Sequence, residues 1–176
     1  RLFPNDGTQN KAIMVKNRMQ PGSSFALMVD TISELQSDGG TQCFPLYLYE
    51  QTQPDDGLFA ASGDQASGLT RRDAITDEGL AHFQAAYPEQ DISKEDLFYY
   101  IYGLLHSPDY RERFKNNLAK ALPRIPAVNG FADFTAFRDA GRALGDLHVN
   151  FENAEPYMVT FKEGTHDLIP KAQADP

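Results

Sequence analysis

The chain has 176 residues, a net charge of −9 and 41% apolar residues, enough to build the core of one domain. A domain of this size buries roughly 70% of its unfolded surface without a disulfide or metal staple, and Cys43, the single cysteine, excludes an internal bridge. No apolar run approaches the ~20 residues that span a bilayer, and no secretory leader is legible; the expectation is a cytoplasmic protein with no membrane partner.

The chain opens on Arg1 rather than methionine, which reads as a piece of a longer polypeptide. Lys11–Lys16 (KAIMVK) and Phe25–Asp30 (FALMVD) are short apolar runs rich in strand formers, separated by a loop that contains Pro21-Gly22. Asp38-Gly39-Gly40 marks a turn. Cys43–Tyr49 (CFPLYLY) is a third strand, in which Pro45 argues for an edge or a bulge. Residues 51–70 read as an acidic, glycine-containing loop, and residues 71–150 as the helical part. Thr76 caps a helix reaching about Tyr87, with Asp77 and Glu78 in its first turn.

The next run, Ile92–Pro126, is punctuated at every step. Ser93 is an N-cap and Asp96 completes a capping box, after which Leu97, Tyr100, Ile101, Leu104 and Leu105 form one apolar stripe. Ser107-Pro108-Asp109 restarts the helix, and Tyr110, Phe114, Leu118 and Leu122 carry a second stripe until Pro123 and Pro126 stop it. A further helix spans roughly Ala132–Leu147, where Gly141 and Gly145, four apart, admit a close neighbour. Residues 157–161 (YMVTF) read as a last strand and residues 164–176 as a flexible tail. The order β-β-β-α-α-α-α-β predicts an α+β fold, a small mixed or antiparallel sheet with about four helices packed to one side.

Charge is unevenly spread. Residues 30–96 carry fourteen acids against Arg71, Arg72 and Lys94, whereas residues 1–29 come to +3 and residues 97–150 to +2. An acidic chain is a poor match to a free-standing nucleic-acid binder, so any phosphate-facing surface has to be local.

Catalytic patterns are hard to find. The histidines, His82, His106, His148 and His166, lie on different elements without HExxH or Cys–His spacing, and helix capping or packing accounts for His106 and His148 better than ligation does. Ser62 and Ser67 lack the GxSxG elbow, and neither GxxxxGK[ST] nor GxGxxG occurs. What remains is basic and polar: Lys16, Asn17, Arg18 and Gln20 between two strands, Arg71-Arg72 ahead of a helix, and Arg111, Lys115, Lys120 and Arg124 along and beyond the second helix of the pair. Asn and Gln can read adenine and Arg can read guanine, while Lys and Arg hold phosphate. On the residues alone, solvated surface charge is the better explanation of them.

The segment KEDLFYYIYGLLHSPDYRERFKNNLAKALPRIP resembles the C-terminal specificity region of type ISP restriction–modification enzymes. So do QCFPLYLYE (Gln42–Glu50), ITDEGLAHFQAAYP (Ile75–Pro88) and FTAFRDAGRALGDLHVNFE (Phe134–Glu152), in consistent order across most of residues 40–160. Members join a nuclease, a helicase-like translocase, an adenine methyltransferase and a target-recognition domain in one polypeptide. The resemblance implies that residues 1–163 are the specificity domain, non-catalytic by itself. Its partners would be double-stranded DNA and the parent's other domains, especially the methyltransferase. S-adenosylmethionine, ATP and magnesium would belong to the parent and no cofactor to this domain. On this reading Lys16, Asn17, Arg18 and Gln20 reach base edges, and Arg71, Arg72, Lys115 and Arg124 hold phosphates. The alternative is a docking or scaffold module, favoured by the acidity of residues 30–96 and the aromatic cluster Phe98, Tyr99, Tyr100 and Tyr102. A more distant alternative is a small hydrolase built on His106 or His148.

Overall fold

The computed structural model describes residues 1–5, 7–18, 26–32, 40–51 and 69–155. Five strands, β1 (Ala12–Lys16), β2 (Ala26–Val29), β3 (Thr41–Pro45), β4 (Tyr47–Gln51) and β5 (Leu69–Asp73), precede four helices. These are α1 (Asp77–Ala86), α2 (Lys94–His106), α3 (Pro108–Leu118) and α4 (Phe131–Val149), followed by a 3-10 turn at Phe151–Asn153. The fold is α+β. Its strands form two antiparallel sheets, one ordered β2-β1-β3 and the other pairing β4 with β5. The expected strand at 157–161, the tail at 164–176 and most of the acidic loop lie outside the described residues.

Pro45 explains why the run read as one strand is two. It has no N–H to give a ladder, and Leu46 behind it turns inward, donating to the Lys11 carbonyl (2.8 Å) and accepting from Ala74 N–H (3.0 Å). Asn10 fixes this junction. Its amide nitrogen donates to the carbonyls of Leu2 and Tyr47, both at 2.9 Å, and its Oδ1 accepts from the N–H groups of Lys11 and Tyr47. β5 is the strand the sequence hid: LTRRD exposes four of its five residues, so no apolar alternation announces it.

The helix starts follow their local grammar. Thr76 accepts from Gly79 N–H at 3.1 Å, and Ser93 and Asp96 exchange bonds of 3.0 and 3.1 Å in a complete capping box. Ser107 accepts from Tyr110 N–H ahead of a proline in the first turn of α3. α3 ends at Leu118 instead of Leu122. Asn116 and Asn117 are weak helix formers, and Pro123 pushes Leu122 toward extended backbone. α4 runs two residues beyond the expected Leu147, to Val149.

Tyr100, Tyr102, Phe134, Ile13, Ile92, Leu105 and Leu118 are the largest fully buried side chains. Each contributes about 1.5–3 kcal/mol relative to exposure. Tyr100 stacks on Phe134 with ring centroids 4.5 Å apart, and Phe83 meets Tyr100 edge-on at 5.5 Å. Phe98, Tyr99, Tyr100 and Tyr102 are all buried, so the aromatic cluster is core and lends nothing to a docking face. Buried hydroxyls need partners. Those of Tyr110, Tyr100 and Tyr87 donate to the carbonyls of Arg124 (2.8 Å), Pro126 (2.6 Å) and Val128 (2.7 Å). Alternate carbonyls of an extended chain face one side; three tyrosines from three helices therefore pin the connection between α3 and α4.

α2 and α4 cross backbone to backbone. A Cβ on Gly103 would fall well inside 3.0 Å of the Phe137 carbonyl oxygen, and one on Gly141 well inside 3.0 Å of the Tyr99 carbonyl oxygen. Gly145 meets side chains instead, since its added Cβ would come within 3.0 Å of the Met28 methyl and 3.7 Å of the Tyr102 ring. β2, an edge strand, is bolted to this pair. Met28 N–H donates to the Tyr102 hydroxyl at 2.8 Å, and that hydroxyl is hydrogen-bonded in turn to His148 Nδ1. Lys11, beside β1, donates to Asp146 (2.5 Å) and Tyr99 (3.3 Å). The His106 ring lies 5.6 Å from that of His148 and accepts from Arg111 at Nδ1 (3.4 Å).

Gly103→Ala and Gly141→Ala should each lower the thermal midpoint by roughly 5–10 °C, because backbone, not a flexible side chain, blocks the new methyl. Gly145→Ala should cost far less; circular dichroism melting of the three variants checks the ranking. Burial first, then Arg111 and His148, push the His106 imidazole down to about 4 from its ordinary 6.5, and burial lowers His148 as well. The unfolded chain binds these protons more readily, so the stabilisation is complete above about pH 6.5 and fades as pH falls toward 4. Urea unfolding should show stability falling from pH 6.5 to 5, with a flatter profile in His106→Leu.

Candidate nucleic-acid interface

The basic side chains divide into two populations. Across the face made by the first residues of β1, the β4–β5 ribbon and the α2–α4 crossing, almost every cation is matched. Lys11 meets Asp146 at 2.5 Å, Arg72 meets Glu50 at 2.7 Å, and Arg142 meets Glu95 at 2.8 Å. Lys94 lies 2.6 Å from Asp77 and 3.8 Å from Asp73, and Arg138 lies 2.8 Å from Asp139 and 3.5 Å from Asp96. Exposed pairs of this kind add about 0–1 kcal/mol of stability each. Their larger effect is to neutralise the face. Arg71 has no carboxylate partner among the described residues, but its guanidinium lies 4.3 Å from the centroid of the Tyr47 ring.

The second population lies at the other end of the molecule. Arg18 is exposed at the end of β1, with no ion-pair partner among the described residues. Arg113, Lys120 and Arg124, on and after α3, are exposed and likewise without a carboxylate partner among them. Lys115 pairs with Glu112 on its own helix at 2.5 Å and keeps 55% of its side chain exposed. Between residues 107 and 126 five basic residues face two acids, Asp109 and Glu112.

Contacts link these two stretches. Val15 pairs with Ala26 in the β1–β2 register. The Ala26 carbonyl faces His106 and favours a proton on its ring, although Nε2 is buried without a partner in bonding distance. His106 touches Arg111, whose Nε donates to the Leu105 carbonyl at 2.7 Å and so caps α2. The strand end that carries Asn17 and Arg18 thus lies beside the α2–α3 junction.

Of the expected base-reading residues, Asn17 and Arg18 are exposed, whereas Lys16 is 7% exposed, opposite Thr41 in the sheet. Gln20 lies outside the described residues. Arg71 and Arg72 belong to a strand rather than to the approach to a helix, and both are engaged by neighbours. The structure brings the strand end that precedes Asn17 and Arg18 beside the first turn of α3, at Arg111, and leaves Arg71 and Arg72 on the neutralised face. The sequence reading passed over Gln42. On β3 it is exposed, and its Nε2 donates to Asn17 Oδ1 at 3.1 Å; its position opposite Val15 requires the strand register. Asn17 N–H also donates to the Gly40 carbonyl (3.2 Å), and Gly40 sits at φ +100, which glycine adopts without strain.

Neither histidine approaches the arrangement a hydrolase needs. His148 is held by Tyr102, and His106 by Arg111. Among the described residues no three His, Cys, Asp or Glu side chains gather as a metal set. No helix among them is long and apolar enough to cross a membrane.

Residues 1–173 match the family model described as the Type ISP C-terminal specificity domain. No curated protein matches. Among solved structures the chain is similar to part of a DrdV–DNA complex determined by cryo-electron microscopy. The identity is 32% and the TM-score 0.70, over 89% of this chain and 14% of that one. It is also similar to part of a nuclease-deletion mutant of the Type ISP restriction–modification enzyme LlaGI in complex with a DNA substrate mimic. Here the identity is 29% and the TM-score 0.61, over 89% of this chain and 12% of that one. The chain therefore spans about an eighth of the length of these proteins and belongs to the Type ISP C-terminal specificity domain family.

Proposed function

We propose that this domain recognises the DNA target of a restriction–modification polypeptide, and that it does so at the strand end and α3 side. The observation that carries the reading is the segregation of cations. Groups already matched by carboxylates gain little from a phosphate, whereas Arg18, Lys120 and Arg124 exchange only solvent and counterions for it, and Arg113, 5.6 Å from the Phe114 ring centroid, has no carboxylate to leave. Those on α3 and beyond it position the duplex, and the polar side chains at the strand end meet base edges. DNA in both related structures supports the DNA-recognition reading. The domain is non-catalytic on this reading. Adenine methylation, ATP-driven translocation and cleavage, with S-adenosylmethionine, ATP and magnesium, belong to the rest of a cytoplasmic parent chain, and the methyltransferase is the domain's main intramolecular partner.

One observation favours docking as a second reading. Leu147, in the last turn of α4, and Phe151, in the 3-10 turn that follows, are 51% and 68% exposed. Binding of duplex DNA by the natural polypeptide but not by the isolated domain would favour it.

Salt titration of duplex binding tests the main reading. Arg18→Ala should weaken binding and reduce methylation of the target. Each of Arg113→Ala, Lys120→Ala and Arg124→Ala should lower the slope of log K against log salt by about 0.9, where a phosphate contact is lost. Arg138→Ala, on the neutralised face, should leave the slope unchanged. Equal effects on both faces would sink the assignment.

A further inference from the structure

Asn17, the first residue beyond β1, and Gln42, on neighbouring β3, are both exposed, with one hydrogen bond joining their amides. An amide offers an acceptor oxygen and an NH2 donor. Gln42 Nε2 donates to Asn17 Oδ1, so the mutual bond leaves one carbonyl oxygen, Gln42 Oε1, and one NH2 group, Asn17 Nδ2 beside Gly40, unused by it. Their mutual bond holds both in place, and the Asn17 main chain is tied to Gly40. Beneath them β1 is the central strand of its sheet. Neighbouring β2 is fixed to α2 through Met28 and Tyr102. The result is a donor and an acceptor presented together from a supported surface, next to the unmatched cation of Arg18.

That pattern discriminates among bases. In the major groove adenine offers an acceptor at N7 beside a donor at N6, guanine offers two acceptors, cytosine one donor, and thymine one acceptor with a methyl group. A donor beside an acceptor is complementary to adenine alone. We infer that Gln42, acting with Asn17, reads an adenine edge in the major groove, a specificity contact that rests on the DNA-recognition reading above. Gln42 is the added determinant, and its amide and that of Asn17 form one reading head rather than two independent contacts.

The test selects duplexes from a randomised pool with the natural polypeptide that carries the domain, as wild type, Gln42→Ala and Asn17→Ala. Wild type should enrich a motif with a fixed A·T pair. Both variants should relax that one position, with discrimination there falling at least tenfold, while the other positions and the salt slope stay as they are. Replacing the selected adenine by 7-deazaadenine removes the N7 acceptor; it should weaken wild type and leave Gln42→Ala unaffected. The wild-type dependence on N7 reports a direct contact by the pair, which a merely structural role for both residues would not produce. A motif unchanged in Gln42→Ala, or wild-type indifference to 7-deazaadenine, would overturn the inference while leaving DNA recognition intact. A wild-type protein that enriches no motif would overturn both.

Discussion

The rest of the domain depends on one contact: two helices that touch through their backbones. Gly103 and Gly141 bring α2 and α4 so close that no side chain fits between them there. The Tyr100 ring can then lie flat on Phe134, and Tyr102 sits where one hydroxyl reaches both β2 and His148. Ordinary helix packing leaves axes 8–10 Å apart and lets side chains adjust. Glycine-to-glycine contact removes that freedom. The crossing is a fixed point, and the sheet is hung from it.

Around this point the polar groups are handled in two ways. Those inside find main-chain partners: Asn10 satisfies four bonds at the strand junction, and three tyrosines bond successive alternate carbonyls. Those outside are sorted by position. Carboxylates crowd the ribbon and the crossing helices, where they match nearby cations, and thin out along α3. A net charge of −9 therefore coexists with an unmatched basic end. Average charge is the wrong scale on which to judge such a molecule, because screening limits each group's influence to about 10 Å.

What was legible in the sequence was local. Ser93, Ser107 and Thr76 announced their helices because a cap needs only the residues beside it, and Gly141 with Gly145 announced a close approach through spacing alone. The partners of that approach were not legible. Gly103 faces Gly141 from 38 positions earlier in the chain, and Gly145 faces Met28 of β2 as well as Tyr102 of α2. β5 was missed because an exposed ribbon strand carries no apolar rhythm. The candidate site was legible in part. Asn17 and Arg18 stood out as polar residues after a strand, but Gln42 becomes visible only once β3 lies beside β1. Arg71 and Arg72 looked available until Tyr47 and Glu50 were found against them.

The tyrosine ladder has an evolutionary corollary. Its three hydroxyls bond carbonyl oxygens, which every amino acid possesses, so the ladder makes no demand on the identity of the side chains it holds. Arg124 projects from a segment whose course is set by Tyr87, Tyr100 and Tyr110 and not by its own chemistry. Substitutions along that strap can drift under selection for a new binding surface while its main-chain path is preserved. A domain built this way can change what it touches without first having to survive a change in how it folds.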